Sequence, residues 1–108
     1  MSLYLVQVAY TTEAWAAQLN NPLDRREVVG PVIERLGGYI ESAYYAFGDY
    51  DVVLIIEMPD DVSAAAFSLA VSAGGAVKTI RTTPLLTIEE GIEAMKKAAG
   101  AGYRPPGS

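Results

Sequence analysis

The chain has 108 residues, 51% of them hydrophobic, which is enough for one core and leaves no room for a separate catalytic domain. It contains no cysteine and no histidine, so disulfides, thiolate nucleophiles, zinc-thiolate sites, imidazole acid-base catalysis and the usual haem and metal ligands are all excluded. A net charge of -5, with only eight Lys and Arg spread along the sequence, argues against nucleic acid or an anionic membrane as partner. The N-terminus, Met1-Ser2-Leu3-Tyr4, has no basic n-region, and no stretch approaches the ~18 apolar residues of a bilayer span. The expectation is a cytoplasmic protein with no metal and no cofactor.

Leu3 to Tyr10 is rich in Leu, Val and Tyr and predicts a first strand buried on much of both faces. Thr12 is placed to cap a short helix from Glu13 to Leu19, and Asn21-Pro22 to start a second helical segment as N-cap and first residue. Val28, Val32 and Leu36, flanked by Val29 and Ile33, give that segment a buried stripe; Gly30-Pro31 disfavours a straight helix there, and the expectation is a bend with the stripe continuing. Gly37-Gly38 ends it.

Tyr39 to Phe47 predicts a second strand and Val52 to Met58 a third, joined by a hairpin turn over Gly48-Asp49-Tyr50-Asp51. Asp60 or Asp61 caps a closely packed helix that Gly74-Gly75 stops near Ala73. Ala76 to Thr83 predicts a fourth strand, ended or marked as an edge by Pro84. Thr87-Ile88-Glu89-Glu90 is a capping box, and Ile88, Ile92, Met95 and Ala99 stripe the helix it opens. Residues 1–99 thus read as one domain and 100–108 as a Gly/Pro-rich tail.

The order β-α-β-β-α-β plus a helix is the pattern of a ferredoxin-like α+β fold, a four-stranded antiparallel sheet with helices on one face. The first and third strands are apolar on both faces, so the open face needs a second cover. A homodimer through that face supplies it with closed two-fold symmetry.

Phe47-Gly48-Asp49-Tyr50-Asp51-Val52-Val53, followed one strand later by Pro59-Asp60-Asp61, resembles the GYD-domain family. Thr11-Thr12, Gly37-Gly38 and Gly74-Gly75 fall where its layout has them, over roughly residues 2 to 97. The resemblance implies a ferredoxin-like, dimeric α/β-barrel fold and no established reaction.

Among candidate functional residues, Asp49 and Asp51 share a face if the strand extends through them, which suits a carboxylate pair with one raised pKa. The simpler role is to bond local backbone amides at the turn. Tyr39, Tyr44, Tyr45, Phe47 and Tyr50, with Tyr4, Tyr10 and Trp15, suit either an apolar pocket with polar tips or plain packing, and strict alternation sets Tyr39, Tyr45 and Phe47 apart from Tyr44. Arg25 is placed to meet a carboxylate or phosphate, or to sit on a solvated helix face. The candidate ligand set is Tyr10, Trp15, Tyr45, Phe47, Asp49, Tyr50 and Asp51, for a non-catalytic module that holds a small apolar or aromatic ligand or simply assembles with a partner. The alternative is a cofactor-independent monooxygenase or isomerase acting on a phenolic or quinol-like substrate.

Overall fold

The computed structural model describes residues 1–107, so Ser108 of the expected tail lies outside the described residues. In chain order the elements are β1 (Ser2–Tyr10), α1 (Thr12–Asn20), α2 (Arg26–Arg35), β2 (Tyr39–Tyr45), β3 (Val52–Met58), α3 (Asp61–Ala73), β4 (Val77–Leu85) and α4 (Ile88–Ala99). The strands form one sheet in the order β2-β3-β1-β4 with every neighbouring pair antiparallel, the ferredoxin-like α+β arrangement expected from the sequence.

Two rows of side chains define the sheet. Tyr4, Val6 and Val8 of β1 stand opposite Ile56, Leu54 and Val52 of β3, and with Met58 they are buried beneath Ile33 of α2 and Ala64 and Phe67 of α3. The alternate row holds Leu3, Leu5, Val53 and Ile55, which remain half-buried, with Gln7, Glu57 and Arg81 around them. The open face therefore has an apolar middle and a polar border. A hydrogen bond from Tyr39 to Glu57, its cross-strand partner, lies on that border and raises the Tyr39 phenol pKa.

Several boundaries differ from the sequence reading for local reasons. Thr11, not Thr12, caps α1, its hydroxyl accepting the Ala14 N–H at 3.1 Å. Asn21-Pro22 starts no helix; α2 begins at Arg26, where the Asp24 carboxylate takes the Arg26 N–H at 3.0 Å. The stripe does continue through Pro31, as expected, because Pro31 sits on the exposed side of α2, where water can serve the carbonyl that loses its partner. The stripe centres on fully buried Ile33 with Val29, Val32 and Leu36 beside it, while Val28 is exposed. β4 runs through Pro84 to Leu85, which an edge strand tolerates.

Two corrections bear on function. A bulge at Glu41 shifts the register of β2, placing Tyr39 and Tyr44 opposite open-face residues and Tyr45 opposite Val52 on the helix side; alternation had grouped Tyr39 with Tyr45. α3 is not closely packed all round, since Val62 and Leu69 are exposed and only the Ala64, Phe67 and Val71 side meets the core.

The end of α2 shows why two glycines stand together. Gly38 N–H bonds the Ile33 carbonyl at 3.0 Å and Gly37 N–H that of Glu34 at 2.9 Å, a Schellman closure with Gly37 at φ 92°. A Cβ on Gly38 would run into the Glu57 carbonyl oxygen and Met58 Sδ, so the second glycine admits β3.

α4 forms as expected, with a Thr87/Glu90 capping box, but it does not lie over the open face. Ile88, Ile92 and Met95 are 78%, 46% and 71% exposed. The molecule measures 58 × 33 × 22 Å with a radius of gyration of 17.3 Å, well above the ~13 Å of a compact chain near this length.

Across the core, the Tyr4 hydroxyl donates to Asp61 Oδ1 at 2.6 Å, joining β1 to the first turn of α3. That bond, with burial and the nearby charge, pushes the Tyr4 pKa from 10.0 up to about 12. Its stabilising share is fully present below pH 10 and is lost as pH rises from 10 to 12. Tyr4→Phe should cost about 1.5–3 kcal/mol in urea unfolding at pH 7 and flatten the fall in stability between pH 10 and 12. An unchanged alkaline profile would remove the hydrogen bond from the account.

Candidate functional site

α2 packs on the edge strand β2, whereas α3 packs mainly on the other edge strand, β4, and also touches β3. The gap between the two helices is a cavity of about 580 Å³, within the range of small-molecule sites. Val8, Val52 and Leu54 floor it, Val29 and Val32 form the α2 wall, and Phe67, Ala70 and Val71 form the α3 wall. Its mouth is lined by Leu23, Asp24 and Arg25 of the segment between α1 and α2, by Arg26 at the head of α2, and by Tyr10, Tyr44 and Tyr45.

The ionisable groups at this opening are unequal. Asp24 grips Arg26 in a fork, Nε to Oδ1 at 3.0 Å and Nη2 to Oδ2 at 2.6 Å, and hydrogen bonds from the Arg26 side chain and backbone hold the Asp24 carboxyl below its usual pKa. Arg25 is half-buried, and among the described residues no carboxylate forms an ion pair with it. Burial pushes the Tyr10 phenol pKa up, and the Arg25 guanidinium beside it pulls the other way.

Behind Tyr10 lies a second cluster. Asp51 Oδ2 accepts the Tyr10 N–H at 2.8 Å and the Trp15 Nε1–H at 3.2 Å, and the two rings meet edge to face with centroids 5.4 Å apart. The Asp51 backbone adds a bond from its N–H to the Val8 carbonyl at 2.7 Å and accepts the Ala46 N–H at 2.8 Å. One residue thus fastens the β2–β3 hairpin to the end of β1 and to α1.

Of the seven residues singled out from the sequence, Tyr10 and Tyr45 line the cavity, and Trp15 and Asp51 support Tyr10 from behind. Phe47 and Asp49 are exposed in the hairpin loop and Tyr50 is half-buried there; none of the three reaches the cavity. Gly48, at φ 151°, serves the turn. Outside the set were the aliphatic walls, whose only sequence mark was the helical stripe of α2. Arg25 carried a signal in its position at a helix start beside an Asp-x-Arg pair that satisfies itself. Among the described residues no cluster of three acidic side chains is placed to hold a metal ion.

A family model described as GYD domain matches residues 4–95, in agreement with the motif resemblance. Among solved structures, that of FFRP-DM1 superposes with a TM-score of 0.50 at 13% identity, covering 80% of this chain and 100% of that one. A hypothetical protein, PHS023 from Pyrococcus horikoshii, gives 0.51 at 11% identity, covering 81% and 92%. At these identities the likeness extends to the fold. Among curated proteins none matches this sequence.

The Asp51 geometry predicts a contrast within one loop. Asp51→Ala leaves two part-buried N–H donors without an acceptor, so urea unfolding should show a loss of about 2–3 kcal/mol together with a red shift of Trp15 emission. Asp49→Ala, at an exposed position, should stay within about 0.5 kcal/mol of wild type. Equal effects at the two positions would contradict the fastening role.

Proposed function

Because this chain belongs to the GYD domain family, whose model spans residues 4–95, we propose that it is a homodimeric, non-catalytic module that holds a small apolar or aromatic ligand. The observation that carries this reading is the 580 Å³ cavity between sheet and helices, apolar on floor and walls and polar only at its mouth. Binding is favoured over catalysis by the groups available there. Asp24 is committed to Arg26, and a phenol whose pKa burial has raised, as at Tyr10, keeps its proton at neutral pH.

The dimer part of the reading rests on the open face. Leu3, Leu5, Val53 and Ile55 surrounded by polar residues match the composition of an interface with an apolar centre and wet rim. A second copy seated face to face would bury roughly 800 Å² per subunit, the size of a standard stable interface. The stripe of α4 offers each protomer a further apolar surface to lay against its partner. No described helix is long and apolar enough to cross a membrane, and a cysteine-free chain suits the cytoplasm in which this reading puts it.

Two measurements test the two halves separately. Light scattering should give the dimer mass for wild type and a shift to monomer for Leu5→Glu or Ile92→Glu; a wild-type monomer at every concentration would overturn the assembly. In thermal shift, a small molecule present at about 100 times its Kd should add ~2.7 kcal/mol of stability. Ala70→Phe, which fills the cavity wall, should abolish that gain while the fold persists. A broad library of metabolites that leaves the wild-type melting point unmoved would remove the ligand from the proposal.

A further inference from the structure

Building on the cavity as a binding site, we infer that its ligand is an apolar molecule carrying a single anionic group, a carboxylate, which Arg25 receives at the mouth. Charge accounting at the opening leads there. Three charged residues line it, Asp24, Arg25 and Arg26, and the Asp24–Arg26 fork neutralises two of them. Arg25 is left with its full charge, half-buried against an apolar chamber, in a chain whose net charge is -5.

An uncompensated guanidinium at the edge of a low-dielectric space is costly unless an anion joins it, and its fixed fork of donors suits the two oxygens of a carboxylate. Tyr10 lies beside Arg25 and keeps a phenolic proton that can donate to the same anion. Beyond this polar end Val29, Val32, Phe67 and Val71 offer only hydrocarbon. The head of the ligand is thus defined as anionic and its body as aliphatic or aromatic. A doubly charged anion fits poorly, because the site holds one net positive charge and the Asp24 carboxylate lies at the same opening. A neutral ligand would leave Arg25 as it stands.

The test pairs an acid with its amide on the intact protein. 4-Phenylbutyrate and 4-phenylbutanamide share one apolar body and differ in charge at the head. Titrated by protein-observed NMR, the acid should bind wild type at least tenfold more tightly than the amide. Arg25→Gln should bring that ratio to near one, chiefly by weakening the acid, and Arg25→Lys should retain part of the preference. An equal affinity of wild type for acid and amide would overturn the anionic ligand and leave the cavity standing. A preserved ratio in Arg25→Gln would overturn the role of Arg25. If neither probe perturbs the cavity residues, the binding reading itself falls, and this inference falls with it.

Discussion

The structure depends on the pairing of β1 with β3. Val6 stands across from Leu54 with Tyr4 opposite Ile56 and Val8 opposite Val52, so one continuous apolar row faces the helices. Side chains alternate along a strand, and a slip of one residue would exchange this row for Leu3, Leu5 and Gln7. The helix face would then receive Gln7 at its centre, and the Tyr4 phenol would lose Asp61. Both flanking strands inherit the register: β4 pairs its Ile80 and Thr82 with Val8 and Val6, and β2 pairs Ala43 with Leu54.

The cavity follows from how the helices use that row. Phe67 of α3 and Ile33 of α2 both join the core over that row, each fully buried. Several lining residues are small: Ala70 of α3 and Gly74 at its cap, Ala43 of β2 and Ala76 just before β4. Helices packed mainly on different edge strands, with such small residues between them, leave the gap unfilled. Asp51 then keeps the opening in shape, since it holds Tyr10 through the backbone and buttresses its ring through Trp15. The Gly48-Asp49-Tyr50-Asp51 hairpin contributes to the site from behind the wall.

How much of this was legible in the sequence depends on the range of the interaction involved. Local chemistry was readable: the Thr87–Glu90 box, the Asp60 cap and the Gly37-Gly38 closure each rest on residues within five positions of one another. So was the fold class, because it follows from the order of the elements, β-α-β-β-α-β plus a helix, each marked by its own stretch of sequence. The bulge at Glu41 was not readable, since Tyr39-Ile40-Glu41-Ser42-Ala43 alternates equally well in either register and only pairing with β3 decides. Asn21-Pro22 carries sound start signals for a helix, yet the Asp24 fork places the start at Arg26. The candidate site was half legible for the same reason. Aromatic density on the hairpin pointed to Tyr10 and Tyr45, but only the packing of α2 and α3 on different strands shows where an empty space lies.

α4 poses a separate energetic question. Its capping box, its Glu89 and Glu90 at the start, its Lys96 and Lys97 at the end and a 3.9 Å Glu93–Lys97 pair all favour a helix, each by some tenths of a kcal/mol to about 1. A helix of 12 residues is nonetheless marginal in water on such terms alone, and helices in proteins owe most of their stability to burying an apolar face. Here that face, Ile88, Ile92 and Met95, touches no core of its own protomer. The open sheet face is in the same condition, apolar at its middle and uncovered. Leu86 and Thr87 alone join the helix to β4, in a molecule 58 Å long and 22 Å across its thinnest direction. Two unsatisfied apolar surfaces tethered to one edge strand are what a second copy of the chain would satisfy together, and the helix would then be most stable in the assembled state.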